Sequence, residues 1–353
     1  MNVVNGWIKH HQVAAFFILT FLITWPGFFL IYFIFPGNDL VQVTGFLAVF
    51  SPAFSAMLIS AIVDPRPKQG SARQRWIAFG VFWLLSWIIM TLYYWQVVKL
   101  KLIVAVILWA IFATLPAWVL SSAFARTPGV RKHFSTLVRP RGSLLWYFVA
   151  MFTVPSLALL GAEITRLLGG KVMTSRSDGM SLGEMAVFFT LTFLSGFLCT
   201  GGINEESGWR GFAMPRLQAR FPVIVAIAIV WFFWALWHIP YDLGQGVDPE
   251  WMLLNRTLIT FTFSVLFAWI YNRTKGSILA PAIFHPSMNA FGNNLPFTTA
   301  SVILYVALAV FAILYDRMWE KLPTDDPAIY PSSQPADQSG GELTPVPAHH
   351  EQP

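Results

Sequence analysis

Two adjacent carboxylates, Glu205 and Glu206, follow the apolar run "EMAVFFTLTFLSGFLCT" and precede Arg210. Glu206 and Arg210 are spaced i, i+4 with the acid N-terminal, the favoured orientation for a helical ion pair. Glu205 is one position round the helix and does not face the arginine. One carboxylate can therefore be neutralised while its neighbour stays free to act as a general base on water. Of the seven histidines, His10, His11 and His133 fall in flanks or loops and His349 and His350 near the C-terminus. Only His238 and His285 lie in apolar segments, where an ionisable group is costly and by default functional. Trp234 and His238 repeat the i, i+4 spacing, and so do His285 and Asn289, so each pair shares a helix face. A His and an Asn that both donate to one oxygen make an oxyanion hole.

These residues sit in a chain built for lipid. Of 353 residues 56% are hydrophobic and 11% charged, against about 25% charged in a soluble domain. The composition predicts an all-α, polytopic, integral membrane protein, a bundle of about eight to ten transmembrane helices. With a span of about 20 apolar residues as the ruler, the expected crossings are 13–35, 41–63, 76–95, 102–124, 144–161, 185–204, 222–240, 252–271, 278–294 and 298–316. The last but one is short and is interrupted by Pro281 and Pro286. The first is too long for a signal-peptide core and lacks a following small-residue cleavage motif. Arg66, Lys68, Arg73 and Arg75 follow the second span, and Arg126, Arg131, Lys132, Arg139 and Arg141 follow the fourth. This bias places both termini in the cytoplasm, against Lys99 and Lys101, which are outnumbered. In a bacterium the host bilayer is the cell membrane. The net charge of +6 is carried by loops and reads as a topology signal, with no nucleic-acid partner implied. The single Cys199 excludes an intrachain disulfide and a multi-cysteine metal site. The expected organisation is N-terminal membrane helices over 1–180, a catalytic core over 181–318, and a Pro- and Ser-rich disordered tail over 319–353.

Together the motifs Glu205-Glu206-x-x-x-Arg210, Trp234-x-x-x-His238 and His285-x-x-x-Asn289 resemble the CPBP family of intramembrane proteases, also called the Abi or CAAX-protease family. Its pattern is E-E-x-x-x-R, F-x-x-x-H, then H-x-x-x-N or H-x-x-x-D. The flanking "WRGFAMPRLQ" and "WALWHIP" are similar too, and the resemblance covers about residues 185 to 295. It implies an endopeptidase of a peptide or lipidated, CAAX-like protein at the membrane, with lipid as its surroundings. It further implies that Glu205 and His238 activate water, that His285 and Asn289 hold the oxyanion, and that Glu206 and Arg210 support the site. No cofactor is required by that mechanism. Zinc is the other option, with Glu205, His238 and His285 as a two-His, one-carboxylate set, although no H-E-x-x-H occurs.

Two features depart from a simple reading. Trp234 stands where the family has Phe. Pro286 directly follows His285, which predicts a helix start there with Pro286 at its first position. Depth raises a further problem. If the seventh span runs straight over 222–240, His238 is about 24 Å along it, near the bilayer face opposite Glu205. Either the helix continues through "EESGWR" and carries Glu205 deeper, or 203–220 folds back, with Gly201 and Gly202 available for a kink. Taken singly, the motifs also fit a boundary salt bridge, an aromatic-belt histidine and polar glue between helices. Arg256 reads as snorkelling or ion-paired. The alternatives to a protease are a transporter with a Glu/His/Arg relay, which lacks the repeat many transporters show, and a noncatalytic scaffold on the same fold.

Overall fold

A computed structural model describes residues 3–37, 45–172, 176–292 and 294–330. In chain order the helices are α1 (Val3–His10), α2 (Gln12–Phe29), α3 (Ser51–Val63), α4 (Ala72–Gln96), α5 (Leu102–Phe112), α6 (Thr114–Ser121), α7 (Pro128–Phe134), α8 (Leu145–Leu167), α9 (Leu182–Cys199), α10 (Ile203–Gly208), α11 (Met214–Gln218), α12 (Val223–Gly244), α13 (Pro249–Leu254), α14 (Thr260–Arg273), α15 (Leu279–Ser287) and α16 (Thr299–Tyr315). No strand occurs among the described residues. Starts are marked by side chains that accept orphan backbone N–H groups. Ser71 Oγ accepts from Gln74 N, Asp248 Oδ1 from Trp251 N, and Ser181 with Glu184 forms a reciprocal capping box at the start of α9. Glu184 therefore has a structural use.

Among the described residues, seven helical stretches are long and apolar enough to cross a membrane: Gln12–Ile34, Ala72–Gln96, Leu102–Phe124, Leu145–Leu167, Leu182–Gln218, Val223–Gly244 and Pro249–Arg273. The protein is an integral, multi-pass membrane protein. Its outer surface carries Leu84, Ile107, Phe148, Phe152, Ile303 and Val310 exposed, as lipid contact requires. The other three expected spans coincide with shorter elements: α3, α16, and α15 with the π turn Met288–Gly292 behind it. Residues 41–44 of the expected second span lie outside the described residues.

The buried side chains form two large clusters. One is built around α2, α8, α12, α14 and α16, with Phe16, Val230, Phe267 and Ala309. The other is built around α3 to α7 and α9, with Phe50, Trp109, Phe134 and Leu198. The segment carrying the acidic pair lies between them. Ile203 belongs to the second cluster, and Trp209 and Phe212 to the first.

The basic segments meet at one end of the bundle. Gln69 N donates to Arg126 O at 2.8 Å, and Tyr147 Oη to Ser277 Oγ at 3.0 Å. Val223 N donates to Glu320 O at 3.1 Å, and Arg273 pairs with Asp316. The tail expectation is corrected here. Residues 319–330 pack against this end, with Ala328 fully buried and Tyr330 N donating to Pro215 O at 3.1 Å. The Tyr330 ring covers the Arg216 guanidinium at 3.8 Å, and Phe212 covers it at 3.6 Å on another side. A short apolar and aromatic run inside a polar stretch, too brief to change the average composition, supplies this anchor. Residues 331–353, including His349 and His350, lie outside the described residues.

Tyr330→Ala should lower stability by about 1–2 kcal/mol through loss of the arginine stack, whereas Tyr330→Phe, which keeps the ring, should change little. Thermal denaturation in detergent checks both.

Candidate active site

The acidic pair is positioned by a break in a helix. α9 ends at Cys199, and the chain turns at Thr200–Gly202 before α10 resumes the same crossing. Gly201 has φ +116°, a region that L side chains rarely adopt. A Cβ there would also lie 2.2 Å from His285 Nε2, so the imidazole occupies the space a side chain would take. The break is pinned from two sides. Asn204 Oδ1 accepts from Gly201 N at 3.0 Å while its Nδ2 donates to Val49 O at 2.8 Å. Asn289 Nδ2 donates to Thr200 O at 2.9 Å. The depth problem is resolved: the helix continues, and Glu205 meets Trp234, about 17 Å along α12 from its start.

The two carboxylates diverge. Glu206 Oε1 accepts from Arg210 Nη1 at 2.9 Å and bonds His285 Nδ1 at 2.7 Å. Glu206 and Arg210 are fully buried and His285 nearly so. The Arg210 guanidinium lies 3.9 Å from the Phe267 ring centre and 4.4 Å from that of Trp234, so aromatic faces complete its coordination. Glu205 points away from this pair. Its Oε2 accepts from Trp234 Nε1 at 2.7 Å, and its Oε1 has no protein partner among the described residues.

Trp234 touches almost every member. It holds Glu205 through its N–H and Arg210 through its face, and it packs edge-on against His238 and His285 at centroid distances of 5.5 and 5.7 Å. A phenylalanine could not hold Glu205 in this way, so the replacement is more than a change of size. His238 Nδ1 lies 2.7 Å from Trp234 O. A carbonyl only accepts, so Nδ1 carries the proton and Nε2 is left as the basic nitrogen.

Pro286 corrects a second expectation. It lies near the end of α15, and His285 is helical rather than a helix start. The proline packs against Gly196 of α9, where an added Cβ would be 2.9 Å from Pro286 Cβ. The ladder after it relaxes into the π turn Met288–Gly292, which carries Asn289. Asn289 thus uses one amide proton on Thr200 and keeps one.

Sequence reasoning missed Asn204, Phe267 and the Trp234 N–H. It also set His133 aside as a loop residue. The His133 ring packs edge-on to Phe212 at 5.8 Å, and its Nε2 donates to Ser207 O at 2.9 Å, two residues after Glu205. Burial, and then the charge of Arg216, push His133 down to about 3. As for a metal, no group of three His, Cys, Asp or Glu side chains among the described residues is arranged to hold one. Glu205, His238 and His285 do not form a preassembled ligand set, and no step is routed through zinc.

Residues 186–291, the stretch that holds all seven motif residues, match the model of the type II CAAX prenyl endopeptidase Rce1-like family. Over that stretch the chain resembles the CAAX-protease family. It is 28% identical over 192 residues to "CAAX prenyl protease 2" of Methanococcus maripaludis, covering 49% of this chain and 68% of that protein. The protein is an intramembrane protease.

Two outcomes are expected. Gly201→Ala should cost about 2 kcal/mol or more and should also displace His285, so that thermal stability and peptide cleavage fall together. His133 is neutral in the fold at pH values where the unfolded chain would protonate it. It therefore stabilises fully above about 6.5, and that contribution is lost as pH falls toward about 3. His133→Gln, which keeps a donor for Ser207 O, should show a shallower fall in melting temperature between pH 7 and 5 than the wild type.

Proposed function

We propose that the enzyme hydrolyses a peptide bond near the C-terminus of a lipidated, CAAX-like membrane protein, using water activated by Glu205. The observation that carries this reading is the unequal use of the two carboxylates. Glu206 is committed to Arg210 and His285, whereas Glu205 is held by one indole N–H and keeps an oxygen free.

Glu205 Oε1 takes a proton from water as the water oxygen adds to the scissile carbonyl carbon. His238 Nε2 accepts the other water proton as a hydrogen bond and so aims the nucleophile. The carbonyl electron pair moves onto oxygen, and His285 with the remaining Asn289 amide proton stabilises it. In that role His285 carries a proton on Nε2 while Nδ1 bonds Glu206, and the carboxylate balances the ring's charge. Collapse breaks the C–N bond, and the proton held by Glu205 passes to the leaving amine. The CAAX-like substrate class is supported by the matched family and by the name of the archaeal relative.

Purified wild type and Glu205→Gln should be compared on a panel of lipidated and membrane-tethered peptides. The isosteric change removes the base and should lower kcat by about 10²–10⁴-fold with the fold intact. Equal cleavage by the two proteins would sink the mechanism, and loss of wild-type activity on metal chelation would return zinc to it.

A further inference from the structure

A second ion pair stands beside the site. Arg256 donates to Asp242 from Nε and from Nη2, both at 2.6 Å. Asp242 is buried, while the arginine side chain keeps 21% of its surface exposed. Trp231 Nε1 donates to Arg256 O at 2.8 Å. Trp231, His238 and Asp242 are spaced i, i+7 and i+11 on α12 and so share one face. With its backbone beside Trp231 and its guanidinium at Asp242, the Arg256 side chain runs along this face past His238. Its head group lies at the level of Asp242, eight residues beyond Trp234, a rise of about 12 Å.

The pairing is side-on. It uses the Nε–Nη2 edge and leaves Nη1, with the outer N–H of Nη2, free of protein partners among the described residues. That open edge can form a second two-bonded fork with another carboxylate. Three extended residues span about 10 Å. The distance from the Glu205–Trp234 level to the guanidinium matches that length.

We propose that Arg256, oriented by Asp242, is the receptor for the substrate's C-terminal carboxylate and sets the cut about three residues from that free end. This rests on the C-terminal cleavage read above. The buried aspartate fixes the guanidinium plane and balances its charge until the substrate carboxylate docks on the open edge. An amide or an extended C-terminus offers no second anion there.

The test uses the purified full chain and an S-farnesylated peptide with three residues after the cysteine, made as the C-terminal acid and as the C-terminal amide. Wild type should cleave the acid with a kcat/KM about 10- to 100-fold above the amide, chiefly through KM. Because Arg256→Gln alone leaves a buried carboxylate unpaired, the variant of choice is Asp242→Asn with Arg256→Gln. It should cut acid and amide equally, at the wild-type rate for the amide. Cleavage by wild type without acid preference, or a preference that survives in the double variant, overturns the anchor and leaves the protease reading standing. Binding of the same two peptides to Glu205→Gln separates the remaining cases. Acid-selective binding that disappears with Arg256 upholds the anchor even where nothing is cut. Binding without acid selectivity, or no binding, overturns it.

Discussion

A charged pair at membrane depth can persist only if protein replaces the water around it, and the Glu206–Arg210 pair sets the terms for everything near it. Both side chains are wholly buried, so breaking the pair would leave an uncompensated charge in a medium of low dielectric. The surroundings answer that constraint. His285 shares the carboxylate, while Trp234 and Phe267 offer their faces to the guanidinium. Each of these contributions comes from a different helix, so the ion pair ties α10, α12, α14 and α15 into one unit. The geometry of the candidate site is a consequence of that tie. Glu205, one residue away, is turned out of it and toward the indole N–H.

The position of α10 between two hydrophobic clusters follows the same logic. Apolar packing has no direction and would tolerate many helix registers. Polar contacts do not. Asn204 reaches Val49, Asn289 reaches Thr200 and His133 reaches Ser207, and each fixes a backbone group next to the acidic pair. Polar contacts of this kind are few in a protein that is mostly Leu, Ile, Val and Phe on its outside, and they gather where chemistry needs sub-ångström placement.

The sequence made the membrane class legible because a span is a local property of about 20 residues. It also exposed the seven motif residues, since a helical spacing of four carries its own geometry. What it could not show were contacts between distant segments. The Trp234 N–H to Glu205 and the Asn204 bond to Val49 join residues far apart in the chain, and nothing local marks them. Pro286 misled because the local rule for the residue before a proline was overridden by close packing on Gly196. The segment 319–330 misled because an average over a polar stretch hid one tyrosine and one alanine that pack. The bidentate partner of Arg256 was equally hidden, since Asp242 and Arg256 are separated by a chain reversal.

Three π turns lie around the site, at Trp209–Ala213, Asn255–Ile259 and Met288–Gly292. Each inserts about one residue into a helix that otherwise advances 100° per residue. A side chain beyond such a turn therefore faces a direction that a regular helix would give to its neighbour. Removing one residue between Glu206 and Gln218 would let the crossing relax into an uninterrupted α-helix. Arg216 and Gln218 would then keep facing Tyr330 and Asn272, whereas a deletion outside the turn would rotate them away by about 100°. The crossing thus has a fixed phase as well as a fixed length. Substitutions within it can be absorbed by neighbouring side chains, and a change of one residue in its count only at the π turn.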